Sequence, residues 1–187
     1  LSKLTIKKAW CVDTFYDCNY DDSVSGTDIY YRKKVNTINA DLVLLLDILE
    51  HVDDDIGLLK EYVEKVPRKT TFLISVPAFQ FLWSEHDIYL EHKRRYTLRQ
   101  LESIVRCSGL KVIHGSYYFG AVFPIAAITR LSGNLFYRKI TRKPNSQLKL
   151  HHPIVNGILA TLSYAELSVF KYNRIAGLTA FCLAESP

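Results

Sequence analysis

Three ionisable side chains stand together in Asp47-Ile48-Leu49-Glu50-His51-Val52, directly after the apolar run of residues 40–46. Charged groups are seldom buried without partners, so this placement predicts the mouth of a crevice rather than a core. The cluster's chemistry leaves several uses open. It can contact a cofactor. His51, whose ring titrates near neutrality, can move a proton. Carboxylate and imidazole can also share a divalent ion, although a local group of three shows no complete ligand set and assigns no metal. The plain alternative is that Glu50 and His51 cap and bridge nearby backbone.

A second group lies in residues 83–97, with Trp83-Ser84-Glu85-His86-Asp87 followed by His92-Lys93-Arg94-Arg95-Tyr96. A long polar loop of this kind is usually functional. His86 and His92 are candidate acid–base groups, and Arg94 and Arg95 could clamp an anion bidentately. Alternatively, one arginine pairs with Asp87 or Glu50 and braces the loop. Asp13 is the third point of interest. It follows a short apolar run, and a carboxylate at a strand end can accept both hydroxyls of a nucleotide ribose.

These residues need elements to position them. Residues 9–12 and 40–46 read as strands, the second as one covered on both faces of a parallel sheet. Residues 17–27, rich in Asp, Asn, Ser and Gly, read as loop, and residues 28–35 as a strand. Asp53-Asp54-Asp55 suits a helix N-terminus, with Ile56, Leu59, Val63 and Val66 at helical spacing and Pro67 as the stop. Residues 71–76 form the next strand. Thr97-Leu98-Arg99-Gln100 is a capping box opening a helix that Gly109 ends. Residues 110–118 and 178–184 read as strands. Residues 120–172 read as apolar helix in two pieces, joined by a polar stretch at residues 138–147. Strands alternating with amphipathic helices predict an α/β fold with a largely parallel sheet, in which ligands bind beyond the carboxyl ends of the strands.

Composition narrows the classes further. A chain of 187 residues with 48% apolar and 23% charged residues is an ordinary globular sequence. The net charge of +5 suits an anionic partner, yet the basic residues are spread out and no dense basic–aromatic run suggests nucleic-acid binding. The four cysteines form no CxxC pair, which argues against structural zinc. Cys11, Cys107 and Cys182 read as reduced core residues, fitting a cytoplasmic location. Residues 1–8 lack the apolar core of a secretion signal. The longest apolar stretch, residues 117–128, falls short of the ~20 residues that a spanning helix needs.

Four pieces together resemble class I S-adenosylmethionine-dependent methyltransferases, in that family's order. Ala9-Trp10-Cys11-Val12-Asp13 looks like the second strand and its ribose-binding acid. Ala40-Asp41-Leu42-Val43 through the D-I-L-E-H-V element resembles the fourth strand and its ending. Leu73-Ile74-Ser75-Val76-Pro77-Ala78 is similar to the fifth strand. The W-S-E-H-D and H-K-R-R-Y-T elements resemble a bacterial subgroup related to quinone-biosynthesis methyltransferases. The match covers roughly residues 1–118, with a weaker echo at residues 173–185 for the seventh strand.

The resemblance implies a Rossmann-like α/β fold over residues 1–187, mostly parallel with an antiparallel last strand. Residues 120–172 become a helical insertion or lid. It implies methyl transfer from S-adenosylmethionine to a small-molecule or lipid-like acceptor. Asp13, Asp47, Ile48 and Leu49 would contact the cofactor. His51, His86 and His92 would be candidate bases, and Trp83, Arg94, Arg95 and Tyr96 would hold substrate. The family's first strand and glycine-rich loop would precede Leu1, so the chain reads as truncated, with two inner sheet edges left unpaired. The apolar insertion, flanked by Arg130, Arg138, Lys139, Arg142 and Lys143, suits a membrane surface. A cap packed on the core or a homodimer interface is the preferred use. A non-catalytic binding or assembly protein is the competing function. A nicotinamide-dependent oxidoreductase also fits a strand-terminal acid, but the L-E-H-V and R-R-Y-T elements argue against it.

Overall fold

A computed structural model describes residues 6–136 and 152–187, without the side chains of residues 132–136. The joining stretch at 138–147, with Arg138, Lys139, Arg142 and Lys143, lies outside the described residues, as do the side chains of Leu135 and Phe136. The chain forms two compact units, Leu1–Asn39 and Ala40–Pro187.

The first unit is a three-stranded sheet. β1 (Lys8–Val12) pairs in parallel with β3 (Thr27–Arg32), whose other side takes β2 (Tyr20–Val24) antiparallel. β2 lies where the polar composition predicts loop. Two local features outweigh that composition. Ser25 and Gly26 both adopt positive φ, 52° and 84°, as a tight hairpin turn demands. Across the hairpin, Tyr20 stacks on its register partner Tyr31 with ring centroids 4.2 Å apart, and such cross-strand pairs stabilise a sheet.

The second unit carries a four-stranded sheet in the order β4–β5–β7–β6. β4 (Leu42–Leu46) and β5 (Thr71–Pro77) are parallel. β7 (Thr179–Glu185) is antiparallel to both β5 and β6 (Lys111–Tyr118). So β4, β5 and β6 run one way, and the last strand runs against them from between β5 and β6. Helix α1 (Asp55–Lys65) links β4 to β5. The short α2 (Glu85–Tyr89) and then α3 (Leu98–Cys107) precede β6, and α4 (Phe123–Phe136) and α5 (Pro153–Leu167) fall between β6 and β7. This is a mixed, Rossmann-like α/β sheet with a helical insertion before its last strand. β1 and β4 belong to separate sheets, each the terminal strand of its own.

The helix ends follow local chemistry. Asp54 caps α1 by accepting from Gly57 N at 2.8 Å. Thr97 and Gln100 form the reciprocal capping box of α3, and Gly109 leaves that helix at φ 92°, where a side chain would be strained. One face of the sheet is built by complementary sizes. Phe72, Ile74 and Val76 of β5 stand opposite Ala184, Cys182 and Ala180 of β7, all fully buried. Leu59 of α1 and Leu101 and Val105 of α3 belong to the same cluster. A Cβ on Gly177 would collide with the Tyr118 carbonyl oxygen, so only glycine lets the chain turn into β7 this close to β6.

Three expectations are corrected by the packing. β4 is not covered on both faces: Leu42, Leu44 and Leu46 are exposed, whereas Leu45 is buried. Cys107 is exposed at the end of α3, off the apolar face; Cys182 is buried and Cys11 half-buried. Residues 83–97 are not wholly loop, because Ser84 and Asp87 form a capping box that starts α2.

Candidate functional site

The site lies within the second unit, where β4 and β5 end. β4 stops as Asp47 takes a positive φ of 53°, an uncommon conformation for a non-glycine residue and one that clusters at functional sites. Its amide donates to the Ser75 carbonyl at 3.0 Å, and the Ser75 hydroxyl donates to Asp47 Oδ1 at 3.1 Å. The chain then makes one 3₁₀ turn, Leu49–His51. Leu49 enters the core, Ile48 is exposed, and Glu50 is buried.

Asp47, Glu50, His86, His92, Arg95 and Arg130 line a cavity of about 230 Å³. Neither oxygen of Glu50 has a hydrogen-bond partner. Burial pushes its carboxyl up to about 8, with Asp47 and Asp87 adding to the effect against the pull of its own backbone amide and of Arg95. Among the described residues His86 Nδ1 is likewise buried and unpartnered.

Asp87 is the anchor of the segment after β5. It has no exposed surface, yet its carboxyl is well served. Arg95 donates through Nε at 2.7 Å and through Nη2 at 3.0 Å. The Ser84 amide and hydroxyl donate at 2.8 and 3.0 Å, and His92 Nδ1 lies 3.0 Å away. Burial alone would raise this carboxyl. The Arg95 fork, with His92 and Ser84, overrides it and holds Asp87 down at about 2. Arg95 also donates to the Ala78 carbonyl at 3.1 Å.

The neighbouring residues brace the same segment. Arg94 donates to the Val52 and Asp53 carbonyls, each at 2.9 Å. Lys93 pairs with Asp53 at 2.6 Å, and its amide donates to the Glu50 carbonyl at 2.8 Å. Tyr96 is buried, its hydroxyl donating to Asp55 Oδ2 at 2.9 Å and lying 3.1 Å from the Leu49 carbonyl. Trp83 is half-buried outside the cavity lining. His51 is exposed, and its ring meets that of His92 edge-on with centroids 4.7 Å apart. Burial and the neighbouring His92 both push the His51 imidazole below its ordinary value. Glu50, His51 and His92 each offer one ligand atom, all within 4.8 Å of one another.

The structure therefore brings Asp47, His86, His92 and Arg95 to one cavity, with His51 against His92. Two charged cavity residues were not among the candidate site residues. Arg130 of α4 donates to the Leu82 carbonyl at 2.6 Å, and burial lowers its guanidinium from its usual value. Glu50 was legible only as one member of the cluster. Asp13 belongs to the first unit, at the end of β1. Its Oδ1 accepts from Phe15 N at 2.9 Å, and its amide donates to the Arg32 carbonyl at 3.0 Å.

No protein-family model matches the sequence, and no curated protein is significantly similar to it. Solved structures do match at low identity. A chain in a Haloferax volcanii complex of a methyltransferase activator with a methyltransferase is 11% identical, with a TM-score of 0.47, over 89% of this chain and 64% of that one. Haemonchus contortus phosphoethanolamine N-methyltransferase 2 is 14% identical, with a TM-score of 0.46, over 85% and 37%. A SAM-dependent methyltransferase from Archaeoglobus fulgidus is 12% identical, with a TM-score of 0.48, over 96% and 86%. The chain thus spans less than two thirds of the first two of these structures.

Proposed function

We propose that the protein transfers a methyl group from S-adenosylmethionine to a small-molecule or lipid-like acceptor at the cavity beside Asp47. The observation that carries this reading is the sheet itself. Its β4–β5–β7–β6 order, with the last strand antiparallel, sets a cluster of polar side chains at the carboxyl ends of β4 and β5, where open α/β sheets bind ligands. The D-I-L-E-H-V and H-K-R-R-Y-T elements favour the subgroup related to quinone-biosynthesis methyltransferases.

The residues present fit the cofactor's chemistry. Asp47, Ile48 and Leu49 turn sharply out of β4 and suit its methionine end. The cofactor supplies an electrophilic sulfonium methyl for in-line displacement, so most of the work left to the protein is proximity and orientation. His86, with Nδ1 buried and unpartnered on the cavity wall, is placed to accept the proton that an acceptor hydroxyl or ammonium must lose. His51 and His92 are the further candidate bases. The Asp87–Arg95 pair fixes the wall against which an acceptor is oriented.

A lipid-like acceptor draws support from α4 and α5, whose residues form the helical insertion or lid. Ile125 and Ile128 of α4, with Ile154 and Ile158 of α5, are all more than half exposed. Exposed apolar side chains of this kind suit an apolar acceptor, a membrane surface or a second copy of the chain. Glu166 of α5 accepts from Gly120 N at 2.6 Å and Ala121 N at 3.4 Å at the start of the insertion, and the Tyr118 hydroxyl at the end of β6 donates to the Ser163 carbonyl of α5 at 3.1 Å. No helix of the described residues is long and apolar enough to cross a membrane.

Calorimetric titration with S-adenosylhomocysteine tests the reading. One-site binding is expected, with Asp47→Ala weakening it about tenfold or more, as loss of a hydrogen-bonded charged group does. A blank with this chain and with a polypeptide extended on its amino-terminal side would overturn the proposal in favour of a non-catalytic role.

A further inference from the structure

Glu50, His51 and His92 present three hydrogen-bond acceptors or ligand atoms within 4.8 Å of one another. The Glu50 carboxyl has no exposed surface and no partner for either oxygen. A buried carboxyl left this way is costly, and such a group in a native protein calls for a bound species. The second observation concerns His92. Its Nδ1 faces Asp87 Oδ1 at 3.0 Å, and Asp87 already receives the Arg95 fork and two bonds from Ser84. An ionised carboxylate only accepts, so Nδ1 carries the proton and Nε2 is left with the free lone pair. A carboxylate behind an imidazole in this way orients metal-binding histidines and raises their basicity.

We infer that Glu50, His51 and His92 form a binding site for one divalent transition-metal ion, with Asp87 as the positioning residue behind His92. Two imidazoles and one carboxylate are a borderline donor set that suits Zn²⁺, Co²⁺ or Mn²⁺ and is poor for Ca²⁺. Three protein ligands would leave at least one coordination position for a further ligand, and Glu50 and His92 both line the cavity. Sites with three protein ligands and an open place are of the catalytic type. With an ion bound, His51 and His92 serve as ligands, and of the three histidines His86 alone stays free to take a proton. The inference does not depend on methyl transfer, because the ion is held by residues of the second unit whether or not the cofactor binds.

The test is titration of the untagged, metal-stripped full chain with Co²⁺, followed by visible absorption and competed with Zn²⁺, in the absence of any nucleotide cofactor. One equivalent is expected to bind with ligand-field bands that Zn²⁺ abolishes. Glu50→Gln and His92→Ala should each weaken binding at least ~10-fold, and Asp87→Asn about 10–100-fold, the range seen for residues behind metal ligands. Circular dichroism on each variant separates lost binding from lost folding, and Glu50→Gln, nearly isosteric, is the decisive one. Absence of saturable uptake by the folded chain, or uptake that Glu50→Gln leaves unchanged, would overturn the site.

Discussion

Arg95→Ala is expected to lower the thermal midpoint of the second unit by about 10 °C. Asp87 is fully buried and Arg95 nearly so, with only 6% of its side chain exposed. Removing one partner of a buried pair leaves an uncompensated charge and costs about 3–5 kcal/mol. For a chain of this length each kcal/mol moves the midpoint by roughly 2–4 °C. Ser84 and His92 would still donate to Asp87, which places the expectation at the lower end. The decisive comparison is the double variant Arg95→Met, Asp87→Leu. Apolar residues of similar volume should recover part of the loss, since no unpaired charge remains, while the Ser84 and His92 donors that Asp87 accepts from keep the variant below the parent. A single variant as stable as the parent would show that Arg95 is free to hold substrate, as the sequence also allowed.

Glu50→Met should move stability the other way. In metal-free solution the carboxyl of Glu50 is buried without a partner, a penalty of about 1–3 kcal/mol that a volume-matched apolar side chain removes. Urea unfolding at constant slope should therefore show a higher midpoint for the variant. The same substitution should abolish Co²⁺ uptake, so stability and binding would part company, as they commonly do where a site is held in strained readiness for its ligand. A midpoint that falls by a similar amount would mean that Glu50 is satisfied in the folded protein, and would remove the reason for placing an ion beside it.

How much of this was written locally can be seen residue by residue. The helix starts at Asp54 and Thr97 were legible because a cap is a contact over three residues. The strand at Tyr20–Val24 was not, because its polar residues hide a hairpin whose signals are a two-residue turn and one aromatic pair. Cys107 misled because an apolar neighbourhood in sequence does not fix the side of a helix on which a residue falls. At the site, the cluster of Asp47, Glu50 and His51 was visible as an oddity of composition, and a brace between an arginine and Asp87 was among the open readings. Arg130 was visible only as a basic flank. It reaches the cavity from α4, and the 3.0 Å contact of His92 with Asp87 depends on a turn of chain after the α2 cap. The approach of Arg130 is a product of the tertiary fold and leaves no pattern in the sequence, whereas His92 and Asp87 are only five residues apart and meet through the local turn.

The terminal position of β4 has a consequence of its own. Asp41 O accepts from Thr71 N and Asp47 N donates to Ser75 O, so the odd-numbered residues of this strand turn their backbone towards β5. By the alternation of a strand, the amides of Leu42, Leu44 and Leu46 point the opposite way. Their side chains are also roughly half exposed. In deuterated water the strand should therefore exchange like a zip with every second tooth missing: Val43 and Leu45 slowly, Leu42, Leu44 and Leu46 fast. Anything that lays a strand along this edge will silence the fast set and leave the slow set unchanged, so those three protons report on whether the sheet stands bare or is extended.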